Sequence, residues 1–100
     1  MMLYDGANRF LTQAAAALAE RQIEVTHNKL RRAETIIAHL RASLDFEHGG
    51  ELSARLDGIY AFCARHLNEA RVEKDPQRIE EVRALLATLR DAWCQIAQSS

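Results

Sequence analysis

Apolar side chains recur every three or four residues along nearly the whole chain, the spacing of helices that each bury one face. At about 100° per residue, Leu3, Tyr4, Ala7, Phe10, Leu11, Ala14, Ala17 and Leu18 fall on one stripe. They predict a first helix from about Met1 to Glu20. The polar Glu20-Arg21-Gln22 stretch is the expected break, although no glycine or proline marks it. A second helix, about Ile23 to Asp45, aligns Leu30, Ala33, Ile36, Ile37, Leu40 and Leu44. Phe46-Glu47-His48-Gly49-Gly50 then reads as a loop, because glycine ends helices at little steric cost.

A third helix, about Glu51 to Val72, buries Leu52, Leu56, Ile59, Tyr60, Cys63, Leu67 and Ala70, with Phe62 beyond the edge of that stripe. Asp75-Pro76 opens a fourth: aspartate can cap free N–H groups, and proline suits the first helical position. Its stripe is Ile79, Val82, Leu85, Leu86, Leu89, Trp93 and Ile96. Four such helices joined by connections of a few residues predict an all-α, up-down-up-down antiparallel four-helix bundle, one domain over residues 1–100. The stripes are wider than a coiled-coil seam, which leaves apolar margins for a partner.

Composition agrees with this class. The chain holds 17 Ala, 12 Leu, 11 Arg and 9 Glu against nine Val plus Ile, four Gly and one Pro, a set that favours helix over sheet. A net charge of −1 argues against a nucleic-acid surface, and Arg31-Arg32 reads as a solvated face. No apolar run reaches the length that crosses a bilayer, and no signal peptide is evident, so a cytoplasmic location is expected. Cys63 and Cys94 lack metal-like spacing and read as small core or boundary thiols rather than a disulfide.

Catalytic chemistry finds no support. Glu24-Val25-Thr26-His27 has the spacing of one half of a di-iron site, without a second copy. Cys63-Ala64-Arg65-His66 offers two ligand types where zinc needs three or four. There is no phosphate loop, nucleophile elbow or dinucleotide fingerprint. The expectation is no enzyme, no metal and no cofactor. Gly6 and Gly58 stand inside helices at a cost of about 0.8–1 kcal/mol each relative to alanine. Gly58 and Phe62, four apart, read either as the floor and wall of a groove or as a tight contact between helices.

The order of several short segments resembles a known family. Met2-Leu3-Tyr4-Asp5-Gly6-Ala7, Phe10-Leu11 and an Ala-rich stretch are followed by Ala33, Ile36-Ile37, Leu40 and Ser43-Leu44-Asp45. Then come Gly49-Gly50-Glu51-Leu52, Leu56, Ile59-Tyr60-Ala61-Phe62, Leu67, Ala70, Asp75, Glu80-Glu81-Val82, Leu85-Leu86, Leu89-Arg90 and Ala92-Trp93. Together these are similar to the FliS family of flagellar export chaperones. The resemblance implies a cytoplasmic bundle that binds the disordered C-terminal segment of flagellin, prevents premature polymerisation and passes the subunit to the export gate protein FlhA.

On this reading the flagellin contacts are expected on the second and third helices, at Ile36, Leu40, Leu44, Leu56, Ile59, Phe62, Cys63 and Leu67, the alternative for each inward-facing residue being a place in the core. Tyr4, Asp5 and Gly6 are expected to shape the nearby surface. Family members carry a short segment ahead of the Leu-Tyr-Asp-Gly-Ala motif that can cover part of the binding surface, and this chain is expected to lack it. Arg71 stands where the family usually has asparagine. The rival reading is a structural bundle that self-associates, as a homodimer for example, through its exposed groove without binding substrate.

Overall fold

A computed structural model describes the backbone of residues 2–99 and the side chains of residues 3–92. Four helices follow one another: α1 (Met2–Ala19), α2 (Ile23–Ala42), α3 (Phe46–Glu73) and α4 (Pro76–Ser99). Contacts across each seam show that their directions alternate. Ile36 packs opposite Gly6, and Lys29 and Arg32 lie over the ring of Phe10. Arg41 pairs with Asp57 and Glu34 with Arg71, so α3 runs against α2. His66–Glu81 and Arg78–Glu69 do the same for α3 and α4, and Arg90–Asp5 returns α4 to the start of α1.

The four helices form a ring. α1 and α3 each pack on α2 and α4, and among the described residues no Cα pair comes within 8 Å across either diagonal. This is the all-α antiparallel bundle that the four stripes predict. Its centre holds Leu11, Leu30, Leu67, Ile79 and Leu86, all fully buried. Small residues line the inner face of α1, where Ala7, Ala14, Ala15 and Ala17 are buried. Trp93 and Ile96 of the expected fourth stripe, and Cys94, lie outside the described side chains.

Two helices stop without glycine. After α1 the Arg21 N–H donates to Leu18 O and the Gln22 N–H to Ala17 O, with Arg21 in the left-handed region at φ 62°. After α3, Lys74 takes φ 55° and the Asp75 N–H returns to Ala70 O. Asp75 then accepts from the Gln77 N–H at 3.0 Å, the cap that its place before Pro76 predicts.

Three expectations are corrected. The Phe46–Gly50 loop is instead a helical turn that begins α3, and α2 ends earlier, at Ala42. The break falls on Gly50 alone, at φ 50° and ψ −121°, a backbone region open in practice to glycine. Leu3 is 47% exposed because it sits at the margin of its stripe in the first turn of α1, and Leu52 is 53% exposed at the rim of a cleft described below. Gly58 makes no tight helix contact, since a side chain there would meet nothing within 4 Å.

The two glycines, eight residues apart, should respond oppositely to alanine. Gly58→Ala fills open space on a helix and should stabilise the chain by about 0.5–1 kcal/mol in urea denaturation. Gly50→Ala forces a side chain into a left-handed bend and should destabilise it by about 1 kcal/mol or more. Equal effects would show that the bend at Gly50 is not maintained in solution.

Candidate functional site: an apolar cleft between α2 and α3

The end of α2 and the start of α3 are held apart by a short polar turn. The Ser43 hydroxyl donates back to Leu40 O at 2.9 Å, closing the last turn of α2. Asp45 caps the next turn, accepting from the N–H groups of Glu47 and His48 at 3.0 and 3.2 Å. Its other oxygen lies 2.6 Å from His48 Nδ1. That side-chain bond, helped by the two backbone donors, holds the Asp45 carboxyl below its ordinary range. Ser53 donates to Asp45 O at 2.9 Å across the turn, and its hydroxyl occupies the space a Gly49 side chain would need. The bend at Gly50 then sends the rest of α3 alongside α2.

A cleft of about 360 Å³ opens at this end of the bundle. Leu40, Ser43, Leu44 and Asp45 form one side, Gly49, Leu52, Ser53 and Leu56 the other, and Tyr4 and Tyr60 lie beneath. The two tyrosines are 5% and 3% exposed, and their hydroxyls hydrogen-bond to each other across the diagonal between α1 and α3. Arg41 and Asp57 pin α2 to α3 beside the cleft, and this pairing holds the Asp57 carboxyl below its usual range.

Of the eight residues singled out in the sequence, the structure gathers Leu40, Leu44 and Leu56 in this cleft. Ile36 and Ile59 are half-buried and pack against the core. Cys63 and Leu67 are fully buried, beneath any surface that a partner reaches in this conformation. Phe62 is 42% exposed and faces the other way along α3. Its ring stacks on His66, with centroids 4.9 Å apart, and His66 Nε2 lies 3.1 Å from Glu81 on α4. The predicted residues therefore divide between two seams. Sequence reasoning missed Leu52 as a rim residue and missed the role of Tyr60, although Tyr4 was placed near the site.

The cleft is mostly apolar, and its groups are poorly suited to catalysis. Its serine hydroxyls are engaged by backbone carbonyls, and its one acid is committed to capping. Burial pushes the Cys63 thiol up to about 11, which leaves it neutral and a poor nucleophile at pH 7. Asp45, Glu47 and His48 have potential ligand atoms within 4.8 Å of one another, but all three are exposed and Asp45 already caps the turn. Arg71, the residue noted as unusual, joins Glu34, Asn68 and His27, the last at 3.0 Å, and so ties α3 to α2 at the opposite end.

The sequence profile of the family described as "Flagellar protein FliS" matches residues 1–100. The chain belongs to the FliS family. It is 39% identical over 97 residues to the flagellar secretion chaperone FliS of Salmonella typhimurium, an overlap of 96% of this chain and 72% of that protein. To FliS of Vibrio cholerae it is 35% identical, covering 95% of this chain and 70% of the relative. For the Bacillus subtilis protein the figures are 33%, 99% and 73%. FliS proteins are secretion chaperones, which makes this chain a flagellar export chaperone with an export substrate as its partner, and not an enzyme.

The sealed position of Cys63 can be checked directly. In a Cys94→Ser background at pH 7.5, a thiol reagent should label Cys63 at least about a hundredfold more slowly than in denaturant. Labelling of the native chain at the denatured rate would show that the α3 core face opens readily.

Proposed function

We propose that this chain binds the C-terminal segment of flagellin, keeps it from polymerising before export, and passes it to the export gate protein FlhA. The observation that carries this reading is the apolar cleft at the Gly50 end of the bundle, in a chain that belongs to the FliS family. An amphipathic substrate helix laid along α2 and α3 would cover Leu40, Leu44, Leu52 and Leu56. Further along, as the substrate wraps the bundle, it would reach Ile36, Ile59 and Phe62. Cys63 and Leu67 form the packed floor under that path.

Energetics favour an extended contact over a single pocket. A disordered ligand loses conformational entropy when it orders, so several apolar side chains must be buried to offset the loss. Burying one leucine from full exposure contributes about 1.5–3 kcal/mol, and Leu52 and Phe62 retain much of their surface for a partner. No helix among the described residues is long and apolar enough to cross a membrane. The proposed setting is the cytoplasm, where unexported flagellin is made.

Calorimetric titration with a flagellin C-terminal peptide should show saturable binding with a negative heat-capacity change and a gain of helix by circular dichroism. Leu52→Asp should weaken that binding about tenfold or more while moving the melting temperature by only a few degrees, because the residue is half exposed at the rim. Phe62→Ala should also weaken binding with little loss of stability. A folded chain that ignores the peptide and instead grows in size with concentration would favour self-association through the same cleft.

A further inference from the structure

The cleft floor is not wholly apolar, and its hydrogen-bond inventory is incomplete. Each tyrosine hydroxyl carries one hydrogen and accepts through its oxygen. The bond between Tyr4 and Tyr60 uses one of their two hydrogens, and either residue can be its donor. Among the described residues the second hydrogen has no acceptor. The other hydroxyls of the cleft, Ser43 and Ser53, donate to Leu40 O and Asp45 O, and neither serine oxygen accepts from a tyrosine. Burial, and then the hydrogen bond with Tyr4, raise the Tyr60 phenol above its ordinary value, so Tyr60 keeps its hydrogen at neutral pH.

In the free chain, water can reach the cleft and serve the remaining donor. An occupant that is apolar throughout would remove that water and strand a buried O–H, which costs more than the hydrogen bond itself is worth in water. We infer that the Tyr4–Tyr60 pair is a polar anchor in the substrate cleft, selecting a segment that places one uncharged side-chain acceptor among its groove-facing apolar residues. This rests on the chaperone reading above and names what that site requires of its substrate.

The chemistry of the acceptor follows from its surroundings. A carboxylate would have to be desolvated in an apolar cleft, beside the Asp45 carboxylate on the rim. Main-chain carbonyls in the interior of a bound helix are already engaged within the helix, and only its last turn leaves them free. Serine, threonine, asparagine and glutamine remain, and such a residue would sit one helical turn from the leucines or other apolar residues that face Leu40, Leu44 and Leu56. The anchor fixes register: an amphipathic helix can slide by a turn along apolar walls, but its single acceptor meets the pair in one position.

The test uses the full chain and a flagellin C-terminal peptide, with alanine variants at each of its Ser, Thr, Asn and Gln positions. Against the unsubstituted chain, alanine at one position should weaken binding about tenfold. Against a chain carrying Tyr4→Phe with Tyr60→Phe, the parent peptide should bind about tenfold more weakly, and that position should lose its effect to within about twofold. Equal or tighter binding of the parent peptide by the double variant overturns the anchor and leaves the chaperone reading standing. Failure of every polar position to matter on the unsubstituted chain overturns it as well, whether or not the double variant folds. Absence of any peptide binding to the unsubstituted chain overturns both.

Discussion

The small-residue inner face of α1 is the constraint from which the rest of the structure follows. Ala7, Ala14, Ala15 and Ala17 bury little volume, and interaxial distance depends on the side chains at the contact. α2 and α4 pack most extensively on this helix, while α3 completes the ring from the far corner. Across that diagonal the backbones stay apart, and long side chains must bridge the gap. Tyr4 and Tyr60 do so by meeting at their hydroxyls. A core built on a narrow helix thus leaves room in the α2–α3 seam, and the apolar cleft opens at one end of it.

Polar groups around the cleft preserve its shape. Asp45 and Ser53 fix the turn that starts α3, Gly50 redirects the chain, and Arg41 with Asp57 prevents the two helices from splaying. At the opposite end, Arg71 with Glu34 and His27, and Arg78 with Glu69 and Glu73, tie α3 to α2 and α4. Pairs near the surface, such as Arg41–Asp57 and Arg78–Glu69, each add little to stability. Their contribution is geometric, fixing how α3 sits against α2 and α4.

Much of the architecture is legible in the apolar period. Most of the four stripes among the described residues, the Asp75-Pro76 start of α4, the burial of Cys63 and the margin position of Phe62 follow from spacing and local chemistry. What escaped has physical causes. Both stops fall at the expected breaks, Glu20-Arg21-Gln22 and the residues before Asp75-Pro76, but their left-handed closure at Arg21 and Lys74, which glycine usually marks, is not visible in the residue type. The Gly49-Gly50 pair reads as a loop, yet one glycine bends the helix and the other only makes room for Ser53. Leu52 has the phase of a core residue but stands where α2 has already ended, so nothing covers it. The meeting of Tyr4 and Tyr60 depends on a diagonal approach across 56 residues of sequence, which no local pattern encodes.

The central claim is that substrate enters the cleft formed by the end of α2 and the first turns of α3. Hydrogen exchange read by mass spectrometry, with and without saturating flagellin C-terminal peptide, tests this most directly. Added protection should concentrate in segments spanning residues 40–60, while the α3–α4 connection around Lys74 and Asp75 exchanges as before. Protection confined to that opposite end, with residues 40–60 unchanged, would contradict the account.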